Sequence, residues 1–62
     1  SFGGIVLRRV HQLGRVRVSR ILAALKIKCR VDDLVYGMVD LKSSECGQIM
    51  HALSIRADLV RC

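Results

Sequence analysis

Residues 21–27 read ILAALKI, and residues 49–55 read IMHALSI. The two stretches share Ile, Ala, Leu and Ile at the same positions. Each is followed, after a short linker, by an acidic residue and Leu-Val, in RVDDLV at 30–35 and RADLV at 56–60. This layout of a short helix, a turn of about four residues and a second helix predicts two tandem helix–turn–helix units, over about residues 5–40 and 41–62. The alternative is that two amphipathic helices rich in Ala, Leu and Ile are alike by composition alone.

The composition favours one small helical domain. The chain has 62 residues, of which 52% are hydrophobic, and it contains no proline. A domain of this size buries only about 60% of the surface that its unfolded chain exposes, so its core is small. Aromatic residues make up 3% of the chain, so aliphatic residues must fill that core. The expected fold class is all-α, or α with a minimal β strand.

The first unit contains the only strand-like pattern. Apolar residues at helical spacing predict a first helix over residues 5–13, ended by Gly14. The sequence RVRV at 15–18 alternates basic and β-branched residues, which predicts a short strand. Ser19 is then expected to cap a second helix over residues 20–25.

A third helix is expected after the turn at residues 26–30. Asp32 or Asp33 would cap it, and apolar residues at helical spacing extend it to Val39. Gly37 lies inside that range and would weaken the helix by about 1 kcal/mol relative to Ala.

The remaining residues predict two more helices. Ser43 or Ser44 is expected to cap the fourth, with Glu45 in its first turn. Its buried stripe is expected to be Cys46, Ile49, Met50 and Leu53. A fifth helix would begin near Ala57 and stop at the end of the sequence, from which we expect the single domain, residues 1–62, to be a fragment of a longer chain.

Charge is divided unevenly along the sequence. Residues 1–30 contain eight lysines and arginines and no acidic residue, whereas residues 31–62 contain three basic and five acidic residues. A clustered basic surface suits phosphate backbones or anionic lipid. The alternative is a solvated surface without a partner.

The cysteines show no pairing pattern. Cys29, Cys46 and Cys62 are odd in number and widely spaced. This favours a reducing, cytoplasmic or nucleoid-associated location, with Cys46 and Cys62 acting as small apolar residues.

The sequence IVLRRVHQLGRVRVSRILAALKI resembles the opening of winged-helix repressors. The resemblance spans residues 5–39, and residues 41–60 are similar to the same element in shorter form. The matching positions are Gly14, Val16, Val18, Ser19, Leu22, Ala23, Leu25 and Ile27. In that family the helix after the turn enters the major groove of DNA. The resemblance therefore implies a DNA-binding domain of a bacterial or phage transcriptional regulator or accessory protein.

The expected DNA contacts are mainly with the backbone. Asp32 and Asp33 open the third helix, which contains no Arg, Lys, Asn or Gln to read bases. Arg56 and Arg61 are the only candidates for base contacts. The expected nucleic-acid-binding residues are Arg15, Arg17, Arg20, Lys26, Lys28, Arg30, Lys42, Arg56 and Arg61.

Other functions are less well supported by the sequence. A helical protein-interaction or dimerisation domain is the main alternative, since an oligomer would help so small a chain to be stable. Cys46 and His51 are five residues apart and do not share a helix face, so we expect no metal site and no catalytic pair. Without a phosphate-binding loop, we expect no cofactor and no enzyme activity. Gly14 interrupts the basic segment, which argues against a membrane-binding helix.

Overall fold

A computed structural model of the chain describes residues 3–62. It contains four α-helices, α1 (Gly3–Leu13), α2 (Arg15–Ala24), α3 (Val31–Val35) and α4 (Ser43–Ala52), and then a 3-10 turn at Ala57–Leu59. No strand occurs between residues 3 and 62. The all-α expectation is confirmed, and so is the end of the first helix before Gly14.

The strand expected at residues 15–18 is wrong, because those residues open α2. Gly14 has a φ of 90°, which lets the chain turn sharply after α1 and begin a new helix at the next residue. Val18 and Leu22 are buried, whereas Val16 is 67% exposed. A strand would place Val16 and Val18 on one face, while burial four residues apart is the helical pattern. Ser19 therefore lies inside α2 and does not cap it.

The first repeat ends α2 with a Schellman motif. The amide of Ile27 donates to the carbonyl of Leu22 at 3.0 Å, and the amide of Lys26 donates to the carbonyl of Ala23 at 3.0 Å. Lys26 takes the left-handed conformation that this motif requires, with φ 59°. Ile27 then enters the core and is buried.

The second repeat ends α4 in the same way. The amide of Ile55 donates to the carbonyl of Met50 at 2.8 Å, and that of Ser54 donates to His51 at 3.1 Å. Ser54 has φ 57°, and Ile55 is buried. The repeated phrase thus corresponds to one structural device, in which the chain reverses at a helix end and an isoleucine anchors the reversal.

The third helix is shorter than expected because Gly37 ends it. Gly37 has φ 65°, its amide donates to Leu34 at 3.2 Å, and the amide of Met38 donates to Asp33 at 2.8 Å. These bonds form a third Schellman motif. The extension of this helix to Val39 is therefore wrong, and Met38 is exposed and outside the core.

Two glycine substitutions are expected to change stability in opposite directions. Gly37→Ala should lower the free energy of unfolding by about 1 kcal/mol, because alanine is strained at positive φ. Gly47→Ala should raise it by about 0.5–1 kcal/mol, because Gly47 lies within α4 and a methyl group there meets no atom within 4 Å. Urea denaturation followed by circular dichroism measures both values. A loss of stability in both variants would contradict the helical assignment of Gly47.

The fourth helix has its expected buried stripe but a different first residue. Lys42 occupies the N-cap position, so neither Ser43 nor Ser44 caps the helix as expected. A side-chain oxygen of Glu45 accepts the amide of Lys42 at 3.0 Å, which satisfies one of the unpaired amides at the helix start. The buried stripe is confirmed at Cys46, Ile49, Met50 and Leu53.

The fifth helix expected after Ala57 is wrong. The chain makes one 3-10 turn there, and Val60 is extended, with φ −129°, and buried. A disulfide joins Cys62 to Cys46, with the two Cα atoms 5.6 Å apart. The hydroxyl of Ser43 also donates to the carbonyl of Cys62 at 3.1 Å. The C-terminal segment is therefore attached to the start of α4.

The helices share one aliphatic core. Helix α1 packs against α2 and α3, α2 also packs against α3 and α4, and the 3-10 turn packs against α4. The principal extents are 25, 22 and 20 Å, so the two repeats lie side by side and not end to end. The buried residues are Val6, Val10, Val18, Leu22, Ile27, Leu34, Val35, Cys46, Ile49, Met50, Leu53, Ile55 and Val60.

Candidate nucleic-acid interface

Helix α2 presents two arginines on its solvent side. Because Val18 and Leu22 hold the opposite side in the core, Arg17 and Arg20 are exposed. They are three residues apart, which places them on adjacent positions of one helix face. The exposed Val16 borders them. The packing of α2 thus fixes the direction in which this pair of charges points.

The turn after α2 adds three more basic side chains. Ile27 is buried and anchors the turn, so Lys26 and Lys28 on either side of it are left exposed. Both lysines line a shallow depression of about 550 Å³, whose lining residues include no carboxylate. Arg30 is exposed at the N-cap of α3. We call Arg17, Arg20, Lys26, Lys28 and Arg30 the basic strip.

Two of the arginines expected to bind nucleic acid are held in ion pairs. Arg15 pairs with Asp32 at the start of α3. Arg56 binds Asp58 at two points, through Nε at 3.1 Å and Nη2 at 2.6 Å. All four side chains are largely exposed, and such pairs typically contribute about 0–1 kcal/mol. The Arg15–Asp32 pair could not be read from local sequence, because the two residues are 17 positions apart in the chain.

The other expected basic residues are exposed and unpaired. Within residues 3–62, no ion pair involves any member of the basic strip, Lys42 or Arg61. Lys42 precedes α4, whereas Arg61 follows the 3-10 turn, so both belong to the second repeat. Six of the nine expected residues therefore lie on α2 and the turn that follows it, and five of these six, all except Arg15, are free of ion pairs within the described residues.

Helix α3 has few side chains that could contact a base pair. It has five residues, and its apolar side, formed by Leu34 and Val35, is buried. Asp32 and Asp33 lie in its first turn, where their charge suits the helix dipole. A negative charge at that position repels phosphate, so α3 lacks the chemistry of a base-reading helix.

The cysteines form an arrangement that differs from the expected one. Cys46 and Cys62 are bonded, so they are not simply small apolar residues, and the pair removes the reason for expecting a reducing compartment. Cys29 has a free, half-buried thiol. Burial raises the pKa of this thiol above its ordinary value, and the nearby carboxylates of Asp33 and Glu45 raise it further. Cys29 is therefore largely protonated at neutral pH and a poor nucleophile.

The second Schellman motif accounts for the disulfide once the fold is known. A Schellman reversal after α4 sends the following residues back along the same helix, toward its first turn. Cys46 lies in that first turn and Cys62 follows the reversal by eight residues or fewer. The cysteine count alone did not contain this information.

Residues 3–62 contain neither a cluster of metal ligands nor a helix that could span a membrane. In residues 3–62, no three His, Cys, Asp or Glu side chains are grouped so as to hold a metal ion. None of the described helices has both the length and the apolar character needed to cross a bilayer.

Comparison of the chain with protein-family models, with curated proteins and with solved structures found no match.

Proposed function

We propose that this domain binds the phosphate backbone of duplex DNA, as part of a transcriptional regulator or DNA-accessory protein. In this proposal the two repeats act as tandem helix–turn–helix units, and the basic strip is the main contacting surface. Lys42, Arg56 and Arg61 contribute from the second unit.

The observation that carries this proposal is the excess of positive charge on the basic strip. Its five side chains are exposed and free of ion pairs within the described residues. No acidic residue occurs between Ser1 and Arg30 to offset them. Arginine and lysine side chains in such a surface displace condensed counterions from DNA, and the released ions favour binding at low salt.

The two ion pairs distinguish the arginines that are available to bind phosphate from those that are not. Arg17 and Arg20 can contact phosphate without losing a partner, whereas Arg15 must first leave Asp32, and Arg56 must leave Asp58. We therefore expect Arg17 and Arg20 to contribute more to affinity than the two paired arginines. Because α3 carries acids where base-reading side chains are normally found, binding should depend little on DNA sequence.

Replacing Arg17 and Arg20 with alanine tests the basic strip. Each substitution should weaken binding by roughly five- to tenfold at about 100 mM salt, and should reduce the slope of log affinity against log salt by about 0.9. Fluorescence anisotropy with a labelled mixed-sequence duplex, titrated at about 50, 100 and 200 mM salt, measures both quantities. Circular dichroism should show that both variants stay folded, since neither side chain is buried.

Arg8→Ala is the matched control. It also removes one exposed arginine from a helix, but from α1. Its effect on affinity and on the salt slope should be clearly smaller than that of Arg17→Ala. Equal effects of the three substitutions would mean that net charge, and not the basic strip, determines binding. No binding at about 50 mM salt would remove the proposed function.

A further inference from the structure

A second surface lies along α1, between that helix and the C-terminal turn. Ile5, Arg8, Arg9 and Gln12 follow one another at helical spacing along α1, and Leu59 of the 3-10 turn faces them across a shallow depression of about 300 Å³. We call these five residues the α1 trough. Ile5 is 39% exposed and Leu59 is 51% exposed. Two partly exposed apolar side chains therefore line the trough.

The repeat explains why Leu59 is exposed. In the first repeat the corresponding leucine, Leu34, lies in an α-helix and is fully buried. The second repeat is one residue shorter between its arginine and its leucine, and it forms a 3-10 turn in place of an α-helix. The first repeat buries both residues of its Leu-Val pair, Leu34 and Val35, whereas the second buries Val60 and leaves Leu59 exposed.

The charge around the trough is one-sided. Arg8 and Arg9 line it, and no carboxylate belongs to its lining. The nearest acid in sequence to Leu59 is Asp58, whose two carboxylate oxygens are bound by Arg56. Within residues 3–62, neither Arg8 nor Arg9 forms an ion pair.

We infer that the α1 trough binds an acidic amphipathic segment of a partner protein. Apolar side chains of that segment would pack on Ile5 and Leu59, while its carboxylates would meet the guanidinium groups of Arg8 and Arg9 and the amide of Gln12 would position its backbone. A DNA backbone fits this surface less well, because half-exposed aliphatic groups gain nothing from phosphate. The inference does not depend on DNA binding by the basic strip.

A synthetic amphipathic helix provides the probe. Leucines occupy one face of a 14-residue peptide and glutamates occupy the other positions, and a scrambled peptide of the same composition serves as its control. In nitrogen-15 correlation spectra of the oxidised protein, the peptide should shift the amide signals of Ile5, Arg8, Arg9, Gln12 and Leu59. The scrambled peptide should bind at least tenfold more weakly, because it cannot present leucines and carboxylates together.

Paired substitutions complete the test. Leu59→Asp should reduce peptide affinity at least tenfold, whereas Val16→Asp, at a similarly exposed position on α2, should leave it unchanged. Arg8→Gln should weaken binding and reduce its salt dependence. Equal binding of both peptides, shifts confined to the basic strip, or no binding at about 1 mM peptide would each overturn the inference. Because duplex DNA is absent from these experiments, their outcome is separate from that of the DNA titration.

Discussion

Reduction of the Cys46–Cys62 disulfide is expected to lower the free energy of unfolding by about 3 kcal/mol. The bond closes a loop of 16 residues, and in the chain-entropy model a loop of this length restricts the unfolded chain by about that amount. The core of a domain this small rarely supplies more than about 3–5 kcal/mol. The oxidised domain should therefore be folded at 25 °C, and the reduced domain should be marginal.

The difference in stability should be measured in a variant that lacks the free thiol of Cys29. Cys29→Ser removes the only described cysteine outside the bond and prevents exchange between the three sulfurs. Urea denaturation of this variant with and without a phosphine reductant gives the stability difference directly. The stability of the double variant, which carries both Cys29→Ser and Cys62→Ser, should be the same with and without reductant. Thiol titration should find one reactive thiol in that variant. Two free thiols in the air-oxidised single variant would show that the bond does not form.

The same bond holds residues that the two proposed surfaces use. Leu59 and Arg61 lie between the Schellman reversal after α4 and Cys62. When the bond is reduced, this segment is held against α4 by the burial of Ile55 and Val60, by the backbone hydrogen bond from Ile55 to Met50 and by the hydrogen bond from Ser43. Affinities for the acidic peptide and for DNA therefore have to be compared at one redox state.

The ends of α1 and α2 could be predicted from the sequence because they depend on local chemistry. The repeated Ala-Leu-x-Ile pattern contains both the left-handed position and the apolar anchor of the Schellman motif. Gly14 and Gly37 are the two glycines with positive φ, and each follows the end of a helix. The buried stripe of α4 follows from the helical spacing of its apolar residues. Each of these features depends on residues within about five positions of one another.

The wrong strand, the unpredicted ion pair and the unpredicted disulfide have a common physical origin. Over four residues, the RVRV pattern is compatible with both a strand and a helix. The helix is favoured because it buries Val18 and Leu22 against residues that are distant in the sequence. In the same way, the Arg15–Asp32 ion pair joins residues 17 positions apart, and the disulfide joins residues 16 positions apart. Local patterns do not encode which of several exposed charges or cysteines will meet after the helices pack.

The candidate interface could be predicted in part. The division of charge at Arg30 is visible in the sequence, and so are all the residues of the basic strip. The sequence did not distinguish Arg17 and Arg20 from Arg15, which differs from them only because Asp32 lies beside it in the fold. The α1 trough was not foreseen either, because it depends on the outward position of Leu59.

Alanine substitution of the two leucines of the repeat should separate their roles. Leu34→Ala is expected to lower the free energy of unfolding by about 3 kcal/mol, because Leu34 is fully buried beneath α1 and α2 and its removal leaves a cavity. Leu59→Ala is expected to lower it by less than about 0.5 kcal/mol, because half of that side chain already contacts solvent. Urea denaturation of the oxidised variants measures both.

Comparing these two variants also tests whether the structural repeat includes the Leu-Val pairs. If the two Leu-Val pairs were packed alike, both substitutions would lower stability by the same amount, and the outward position of Leu59 would be wrong. If only Leu34 is needed for folding, the shorter second repeat keeps only the valine of its Leu-Val pair in the core. Val60→Ala should then be more destabilising than Leu59→Ala, although valine is the smaller residue. Leu59, which the core does not need, would then be free to contact a partner in the α1 trough.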